Sequence, residues 1–301
     1  MASTIATVNQ ALVEQQVVSA LRNVLPMFDS FSMRFSRTGM IQNDTLYVPV
    51  GTDPTAGTKT LGTIVTGTGT VAGTSISLST AIGAGWDAKE GEISASLFEK
   101  YWADKAAGAV YGVAKTIVDA ALALVTAANY GNAAGTDKIV VAPGDFGQSD
   151  LALLWAAAET KKIGRQRSFG MNPAYAAALL GESNLGLIFA NTGTNFVQSG
   201  VVPQLMGMSA WCYGAFPSNS ENLGGAIFGK SAIGGAVAPV DQLAQSGEGD
   251  IADRYIITEP NSGLSALYTM VVDGGGIVKG EVAVLYGVAK IQDAIVRLAS
   301  A

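Results

Sequence analysis

The strongest periodic pattern in the sequence predicts one unusually long helix. Apolar residues recur at helical spacing from Trp102 to Ala127, which is typical of a helix with one buried face. A capping box of Ser96 and Glu99 precedes this run, and Gly131 follows it as a stop signal. A helix from about Leu97 to Ala128 would extend roughly 48 Å at about 1.5 Å per residue, far beyond the usual three turns.

The first part of the chain predicts a second, amphipathic helix. Apolar residues follow a rough helical stripe from Ile5 to Leu25, and Pro26 ends it. The pattern fits a helix on the core of its own domain as well as an arm that docks on another chain.

The segment between these helices predicts strands without a core. Thr45–Val50 has strand character, and Gly51–Gly85 consists almost entirely of Gly, Thr, Ser, Ala and β-branched residues. Leu61–Thr66 and Thr74–Leu78 flank the glycine-rich turn at 67–70, which indicates a two-stranded hairpin. An isolated hairpin is marginally stable in water. We therefore expect it to lie against another surface, that of another subunit.

Strands and helices alternate after the long helix, and strands dominate the end of the chain. This order predicts a mixed α+β fold. The predicted elements are a strand at 138–142, a helix from Ser149 or Asp150 to Lys161, a strand at 168–171, a helix at 174–180 opened by Pro173, a loop at 181–200, and strands at 209–216, 226–237, 255–259, 266–272 and 278–288.

Composition favours an assembled protein. Charged residues make up only 14% of the 301 residues, against about 25% in ordinary soluble domains, which suggests that neighbouring subunits cover much of the exterior. The net charge of −6 argues against a protein that binds nucleic acid by neutralising phosphates. No apolar window long enough for a membrane span is free of charge, since Lys115 and Asp119 interrupt the best one. The N-terminus lacks the features of a signal peptide, so synthesis in the cytoplasm is expected.

The absence of histidine and the single cysteine exclude several chemistries. Triads that use histidine and zinc sites built from Cys and His are impossible. Cys212 lies in an apolar stretch and is expected to be a buried small hydrophobe rather than a nucleophile. The sequence therefore predicts no catalytic residue, no cofactor-binding residue and no metal ligand, and we expect no cofactor and no enzyme activity.

One formal nucleotide-binding motif is present. Gly224–Ser231 fits the P-loop pattern, and the stretch from Met270 to Asp273 resembles the strand and Asp that help to hold magnesium. A P-loop must follow a strand and open a helix, whereas a turn at Pro217–Asn222 precedes this one and glycines follow it. A P-loop ATPase is retained only as a remote alternative.

One dense basic cluster consists of Lys161, Lys162, Arg165 and Arg167. Cations at the end of a helix offset its dipole, which is the simpler interpretation. A contact with another subunit or with a phosphate is the alternative.

The order of the elements resembles the major capsid proteins of tailed bacteriophages, the Hong Kong 97-type fold. On this resemblance, residues 1–43 are an N-terminal arm, 44–85 an extended β-hairpin loop, 86–140 and 253–301 a peripheral domain with the long spine helix, and 141–252 an axial domain. The segment Phe169–Leu180, with its Met-Asn-Pro step into a small-residue helix, resembles the strand-to-helix step of that axial domain. No charged N-terminal scaffolding segment is present, so the scaffold is expected to be a separate protein.

The resemblance implies a structural protein of a virion, made in the cytoplasm of a bacterial host. Copies would form hexamers and pentamers of an icosahedral shell that encloses double-stranded DNA without sequence-specific binding. The implied partners are other copies of the chain, a separate scaffolding protein, a portal and a decoration protein, with no membrane. An encapsulin-type nanocompartment shell, which has the same fold and encloses cargo enzymes, is the alternative.

Overall fold

The computed structural model describes residues 25–36, 38–51, 71–89, 95–181, 205–241, 250–258, 263–272 and 277–300, together with 13, 15–17 and 19. The helices of four or more residues are α1 (Leu25–Phe28), α2 (Ala95–Ala123), α3 (Ala127–Tyr130), α4 (Gln148–Thr160) and α5 (Pro173–Gly181). The strands are β1 (Ser32–Phe35), β2 (Thr45–Gly51), β3 (Val71–Ser77), β4 (Thr80–Lys89), β5 (Lys138–Val140), β6 (Arg167–Met171), β7 (Ser209–Cys212), β8 (Leu223–Gly229), β9 (Ile233–Pro239), β10 (Asp250–Thr258), β11 (Ser265–Val272), β12 (Ile277–Lys290) and β13 (Ile295–Ala299).

The larger sheet is organised around β12. One edge of β12 pairs with β4 from Ile277 to Tyr286. The other edge pairs first with β11 and then, from Val284 onwards, with β9. Strands β10 and β1 complete the sheet beside β11 and β9, respectively. The predicted strands at 255–259, 266–272 and 278–288 correspond to β10, β11 and β12, apart from Glu259, which lies outside the described residues.

Helix α2 packs on this sheet through an aromatic cluster. Trp102 is fully buried, and its indole Nε1 donates a 2.6 Å hydrogen bond to the hydroxyl of Tyr268. The Trp86 ring lies 5.4 Å from the Trp102 ring, centroid to centroid. Gly280 of β12 accommodates both indoles, because a Cβ there would come within 2.5 Å of Trp86 and 2.7 Å of Trp102. Burial raises the pKa of Tyr268 to about 12, so its hydroxyl stays protonated.

The long helix is confirmed, but the prediction that it reaches Ala128 is wrong. It ends at Ala123, because side-chain amides bind the carbonyl groups of its last turn. Asn219 donates to the carbonyls of Leu122 (2.9 Å) and Val125 (2.8 Å), and Asn129 donates to the carbonyl of Leu124 (2.7 Å). The helix also begins at Ala95, so Ser96 lies in its first turn rather than at the cap.

The smaller sheet has the order β5-β13-β8-β6-β7 and carries α4 and α5. It confirms the predicted strands at 138–142 and 168–171 and both predicted helices. Gly147 is the N-cap of α4, and its amide is held by the Asp150 carboxylate at 3.1 Å. The core of this unit contains Leu154, Phe169 and Tyr175, all fully buried.

The predicted strand at 226–237 is in fact two strands in different sheets. β8 belongs to the smaller sheet and β9 to the larger one, and the chain turns between them at 230–232. Similarly, the last strand, β13, which the sequence did not predict, lies between β5 and β8. The strands near the expected boundaries divide between the sheets: β9 pairs in the larger sheet, whereas β13 and β5 pair in the smaller one. The division into peripheral and axial domains stays a prediction.

The expected N-terminal arm is in part integral to the subunit. Val13 and Val17 are buried in the same core as Val113, and β1 pairs in parallel with β9. The described residues of the amphipathic helix thus favour packing on the chain's own core, and its remaining residues lie outside the described part.

The base of the expected hairpin loop also packs on its own chain. The predicted strand at 74–78 corresponds to the end of β3, which pairs with β2. Its predicted partner, 61–66, lies outside the described residues. Ile76 is 2% exposed and packs in a cluster with Ala238 and Leu285. Beyond this base, residues 80–89 are not loop but the strand β4. A local pattern cannot reveal this packing, because the partners are about 160–210 positions away.

Ion pairs of the buried Arg297 and the nearly buried Lys161 join the smaller sheet to the turns around it. Arg297, which is fully buried, bonds to the Glu221 carboxylate and to the carbonyl of Gly131. Lys161 forms 2.9 Å ion pairs with Asp137 and Asp293. Such groups are costly to bury unless each is paired, so removing one partner destabilises the subunit strongly.

The turn at Gly131 generates a first prediction. Gly131 has a φ of +80°, and a Cβ there would lie 2.2 Å from Oδ2 of Asp137, which is held by the Ala133 amide. Gly135 has nearly the same φ (+79°) but open space. Gly135→Ala should cost about 1–2 kcal/mol of backbone strain, whereas Gly131→Ala should cost about 3 kcal/mol or more by displacing Asp137. Urea unfolding measures both, and equal losses would contradict the role of Asp137.

The hairpin base generates a second prediction. Ile76→Ala should lower the free energy of unfolding of the isolated subunit by about 2–5 kcal/mol, because it leaves a cavity in the subunit's own core. Tyr47→Thr, on β2, is the control: Tyr47 is 48% exposed, so its loss should stay within about 0.5 kcal/mol. If Ile76→Ala leaves the isolated subunit unchanged, the base of the hairpin is not part of its core.

Candidate functional site

The segment that fits the P-loop pattern is a buried strand. Gly224 and Gly225 lie in β8, in which all residues are buried. A Cβ on Gly224 would lie 2.0 Å from the ring of Tyr175, and a Cβ on Gly225 would lie 2.7 Å from the carbonyl oxygen of Gly170. After Ser231, whose hydroxyl donates to Gln292 at 2.6 Å, the chain enters β9 instead of a helix. The glycines therefore serve close packing, and the segment does not have P-loop geometry.

Cys212 is exposed, contrary to the expectation that it is buried. It lies on β7, which the register places at the edge of the smaller sheet, where alternation turns Trp211 inward and Cys212 outward. Its neighbours nevertheless desolvate the thiol and raise its pKa. A raised pKa disfavours the thiolate, so the site is not built as a nucleophile.

The four cations of the basic cluster do not share one surface. Lys161 and Arg167 are held inside the subunit by ion pairs, Arg167 with Glu159 at 2.7 Å, while Lys162 and Arg165 are exposed. The predicted offset of the helix dipole explains only part of this cluster, because Lys161 acts as a bridge between carboxylates and carbonyls of other segments.

Among the described residues, no group of three or more Asp, Glu and Cys side chains could hold a metal ion. Helix α2 is long and apolar enough for a membrane span by length and composition. Its buried residues, however, pack against the larger sheet of the same chain, as expected for the core helix of a folded domain.

The face of α2 opposite the sheet is open near its middle. Lys100, Asp104, Gly108 and Tyr111 follow one another at helical spacing, and each is exposed. We call these four residues the outer face of α2. A Cβ on Gly108 would meet no atom within 4 Å, so nothing in the described part of the chain requires glycine there. Glycine in a helix costs about 1 kcal/mol relative to alanine.

A groove of about 560 Å³ runs between the outer face of α2 and β4. Trp86 and Tyr101 line it, and the Lys105 ammonium lies 5.4 Å from the centre of the Tyr101 ring. The indole Nε1 of Trp86 is buried and donates to no acceptor among the described residues. The groove thus has aromatic walls.

A charged network fixes the other end of α2 to the smaller sheet. Lys115 and Asp119 form a 2.7 Å ion pair one turn apart, and the Tyr213 hydroxyl donates to Asp119. The hydrogen bond to Asp119 raises the pKa of Lys115. Burial, together with Asp119, raises the pKa of Tyr213 to about 12. Lys115 therefore stays charged and Tyr213 stays protonated near neutral pH.

The helices of the smaller sheet expose apolar side chains that sequence reasoning did not single out. Leu153 and Trp155 are 55% and 40% exposed, and they flank the buried stripe of α4 on either side. Leu180, at the end of α5, is 49% exposed. The sequence contains a signal for this exposure: the helical period that buries Leu151 and Leu154 places Leu153 and Trp155 away from the core face.

Comparison with known proteins identifies the fold. No protein-family model and no curated protein matches the sequence. Among solved structures, the capsid of Ralstonia phage GP4 superposes with a TM-score of 0.53 at 10% identity, over 89% of this chain and 86% of that one. A protein of Mycobacterium phage Che8 gives a TM-score of 0.49 at 10% identity and 85% of both chains. A virus-like particle from Pyrococcus furiosus gives 0.48 at 13% identity, over 95% and 98%.

The similarity to the GP4 capsid extends over 89% of the chain. The chain therefore has the Hong Kong 97-type fold of tailed-phage capsid proteins.

Proposed function

We propose that this chain is a major capsid protein, which assembles into hexamers and pentamers of an icosahedral shell around double-stranded DNA. The observation that carries the proposal is the shared fold with the GP4 capsid over 89% of the chain. In this role the protein is a structural component of a virion, made in the host cytoplasm, and has no catalytic activity.

The exposed surfaces support assembly from identical copies. Apolar side chains are exposed on α4 and α5, and Gly108 leaves the outer face of α2 open. Exposed apolar patches commonly mark sites of contact with other proteins. This chain has only 14% charged residues to keep such surfaces soluble. Contacts between copies would bury these surfaces, and closed symmetry would limit the assembly to a finite shell.

We propose that residues 52–70, which lie outside the described part, bind in the groove beside α2 of a neighbouring copy. Residues 52–70 are rich in Thr and Gly and contain Asp53 and Lys59 as their only charges, so they offer hydroxyl and carbonyl acceptors without charge repulsion. The rings of Trp86 and Tyr101 line the groove and offer apolar contact to such a segment. The gap at Gly108 leaves room for the backbone of this segment.

The shell would need further proteins. The proposed partners, besides other copies of the chain, are a separate scaffolding protein, a portal and a decoration protein. The acidic net charge of −6 fits enclosure of DNA without sequence-specific binding better than tight binding of phosphates.

The direct test is to purify the protein as it assembles and to image it by electron microscopy. Closed icosahedral particles containing nuclease-protected double-stranded DNA, when the protein is produced with its packaging partners, would support the proposal. Particles that instead retain a co-purified enzyme would identify a nanocompartment of the encapsulin type. A protein that remains monomeric at every concentration would contradict both.

The outer face of α2 provides a sharper test. Gly108→Leu should leave the isolated subunit as stable as the wild type, or about 1 kcal/mol more stable, because Leu is a better helix former and meets no neighbouring atom. In the shell the same side chain would collide with the neighbouring copy, so closed particles should be lost. Sedimentation velocity and thermal unfolding measure the two effects.

Gly144→Leu is the matched control, because Gly144 is also exposed and a Cβ there would meet no atom within 4 Å. It should leave assembly intact. Normal particles from Gly108→Leu would contradict the proposal that another copy covers this face.

A further inference from the structure

A polar cavity lies where the two sheets meet, and neither the fold nor the proposed shell contacts account for it. Its volume is about 170 Å³. Asp29 and Ser30 reach it from the turn after α1, Arg167 and Ser168 from β6, and Lys230 from the turn between β8 and β9. Gln166 and Ser209 complete the described lining. At roughly 30 Å³ per water molecule, the cavity has room for a compact polyatomic ion.

Arg167 has an unused donor in this wall. Its Nε donates to the carbonyl of Gly164 at 3.1 Å. Its Nη2 donates to Glu159 at 2.7 Å and to the carbonyl of Ile163 at 2.9 Å. Its Nη1 is buried and has no partner among the described residues. The side chain is only 5% exposed, so this donor carries the full cost of an unmade hydrogen bond unless something binds to it.

Two buried hydroxyls add to the excess of donors. The Oγ of Ser168 has no hydrogen-bond partner among the described residues, and the residue is 4% exposed. The Oγ of Ser30 accepts a 2.8 Å hydrogen bond from the indole of Trp211, which leaves its own proton available for another acceptor. Ser30, Arg167 and Ser168 all line the cavity, so an acceptor bound there would lie beside their donors.

The charges around the cavity favour an anion. The Lys230 side chain is exposed and pairs with no carboxylate in the described part of the chain. The positive charge of Arg167 is offset in part by Glu159, which binds its Nη2. Asp29 is the carboxylate among the described lining residues, and it would oppose an anion rather than assist it.

We propose that this cavity is a binding site for a compact oxyanion, a phosphate or carboxylate group, held by Arg167, Ser168 and Lys230. Oxyanions accept several hydrogen bonds at once, which matches a cavity with unused guanidinium, hydroxyl and ammonium donors. Because its walls come from separate segments, a bound anion would link the turn after α1, β6 and the turn between β8 and β9. The proposal does not depend on the shell function.

Titration with inorganic phosphate tests the site in the full-length protein. At constant ionic strength, phosphate should broaden its own ³¹P resonance and raise the unfolding temperature, because a ligand that binds only the folded state stabilises it. Lys230→Met and Ser168→Ala should each weaken phosphate binding at least tenfold. Asp29→Asn should strengthen it several-fold, since it removes the opposing charge. Acetate in place of phosphate separates a carboxylate preference from a phosphate preference.

Two features keep the test independent of folding. Ser168→Ala removes a hydroxyl that has no partner among the described residues, so the unliganded protein should unfold at the wild-type temperature or above. Lys162→Met removes an exposed cation of the same basic cluster that does not line the cavity, and phosphate binding should be unchanged. Competition by a short DNA duplex would identify backbone phosphate as the source of the oxyanion, and its absence would identify a free ion.

The absence of ³¹P broadening at millimolar phosphate in the wild type would overturn the proposal. Equal affinity in the wild type, Lys230→Met and Ser168→Ala would also overturn it, because the response would then be a general effect of the salt.

Discussion

The subunit depends on one strand, β12, which is paired on both edges and packed on both faces. Along one edge it carries β4, and along the other it passes from β11 to β9 at Val284. Val282 and Val284 are buried on the side of α2, whereas Leu285 is buried on the side of the hairpin base. The part of β12 from Val282 to Leu285 is enclosed in this way and is a continuous apolar run, whereas Lys279 and Glu281 before it are exposed. The register of β12 fixes where the long helix and the hairpin can lie.

Close packing explains several glycines in the described part of the chain. At Gly287, a Cβ would lie 2.0 Å from the carbonyl oxygen of Ser77, so the end of β3 can cross β12 only because the side chain is absent. Gly280 and Gly224 make room for tryptophan and tyrosine rings in the same way. The P-loop pattern in β8 is a consequence of this use of glycine, since two glycines needed for packing happen to precede a lysine and a serine.

Features that depend on neighbouring residues could be predicted from the sequence, and those that depend on distant ones could not. The long helix and the strands β10 to β12 follow from local periodicity. The end of α2 does not, because Asn219, almost a hundred positions away, binds its last carbonyls. The change of sheet between β8 and β9 could not be predicted, because small apolar residues that are buried in both sheets continue from one strand to the next. The polar cavity could not be predicted from the sequence, because only the fold brings Ser30, Arg167 and Lys230 together.

The completeness of the chain's own core constrains how the proposed shell could be built. Val17 and Ile76 are already buried within the chain, so assembly of the proposed kind would have to use surfaces that remain exposed in the folded chain. Those surfaces lie on different units: Tyr111 on the helix of the larger sheet, and Leu153 and Trp155 on a helix of the smaller one. A ring of identical copies requires two different, complementary surfaces on each copy. Separate exposed patches on the two units meet that requirement, whereas one large patch would favour a simple twofold dimer.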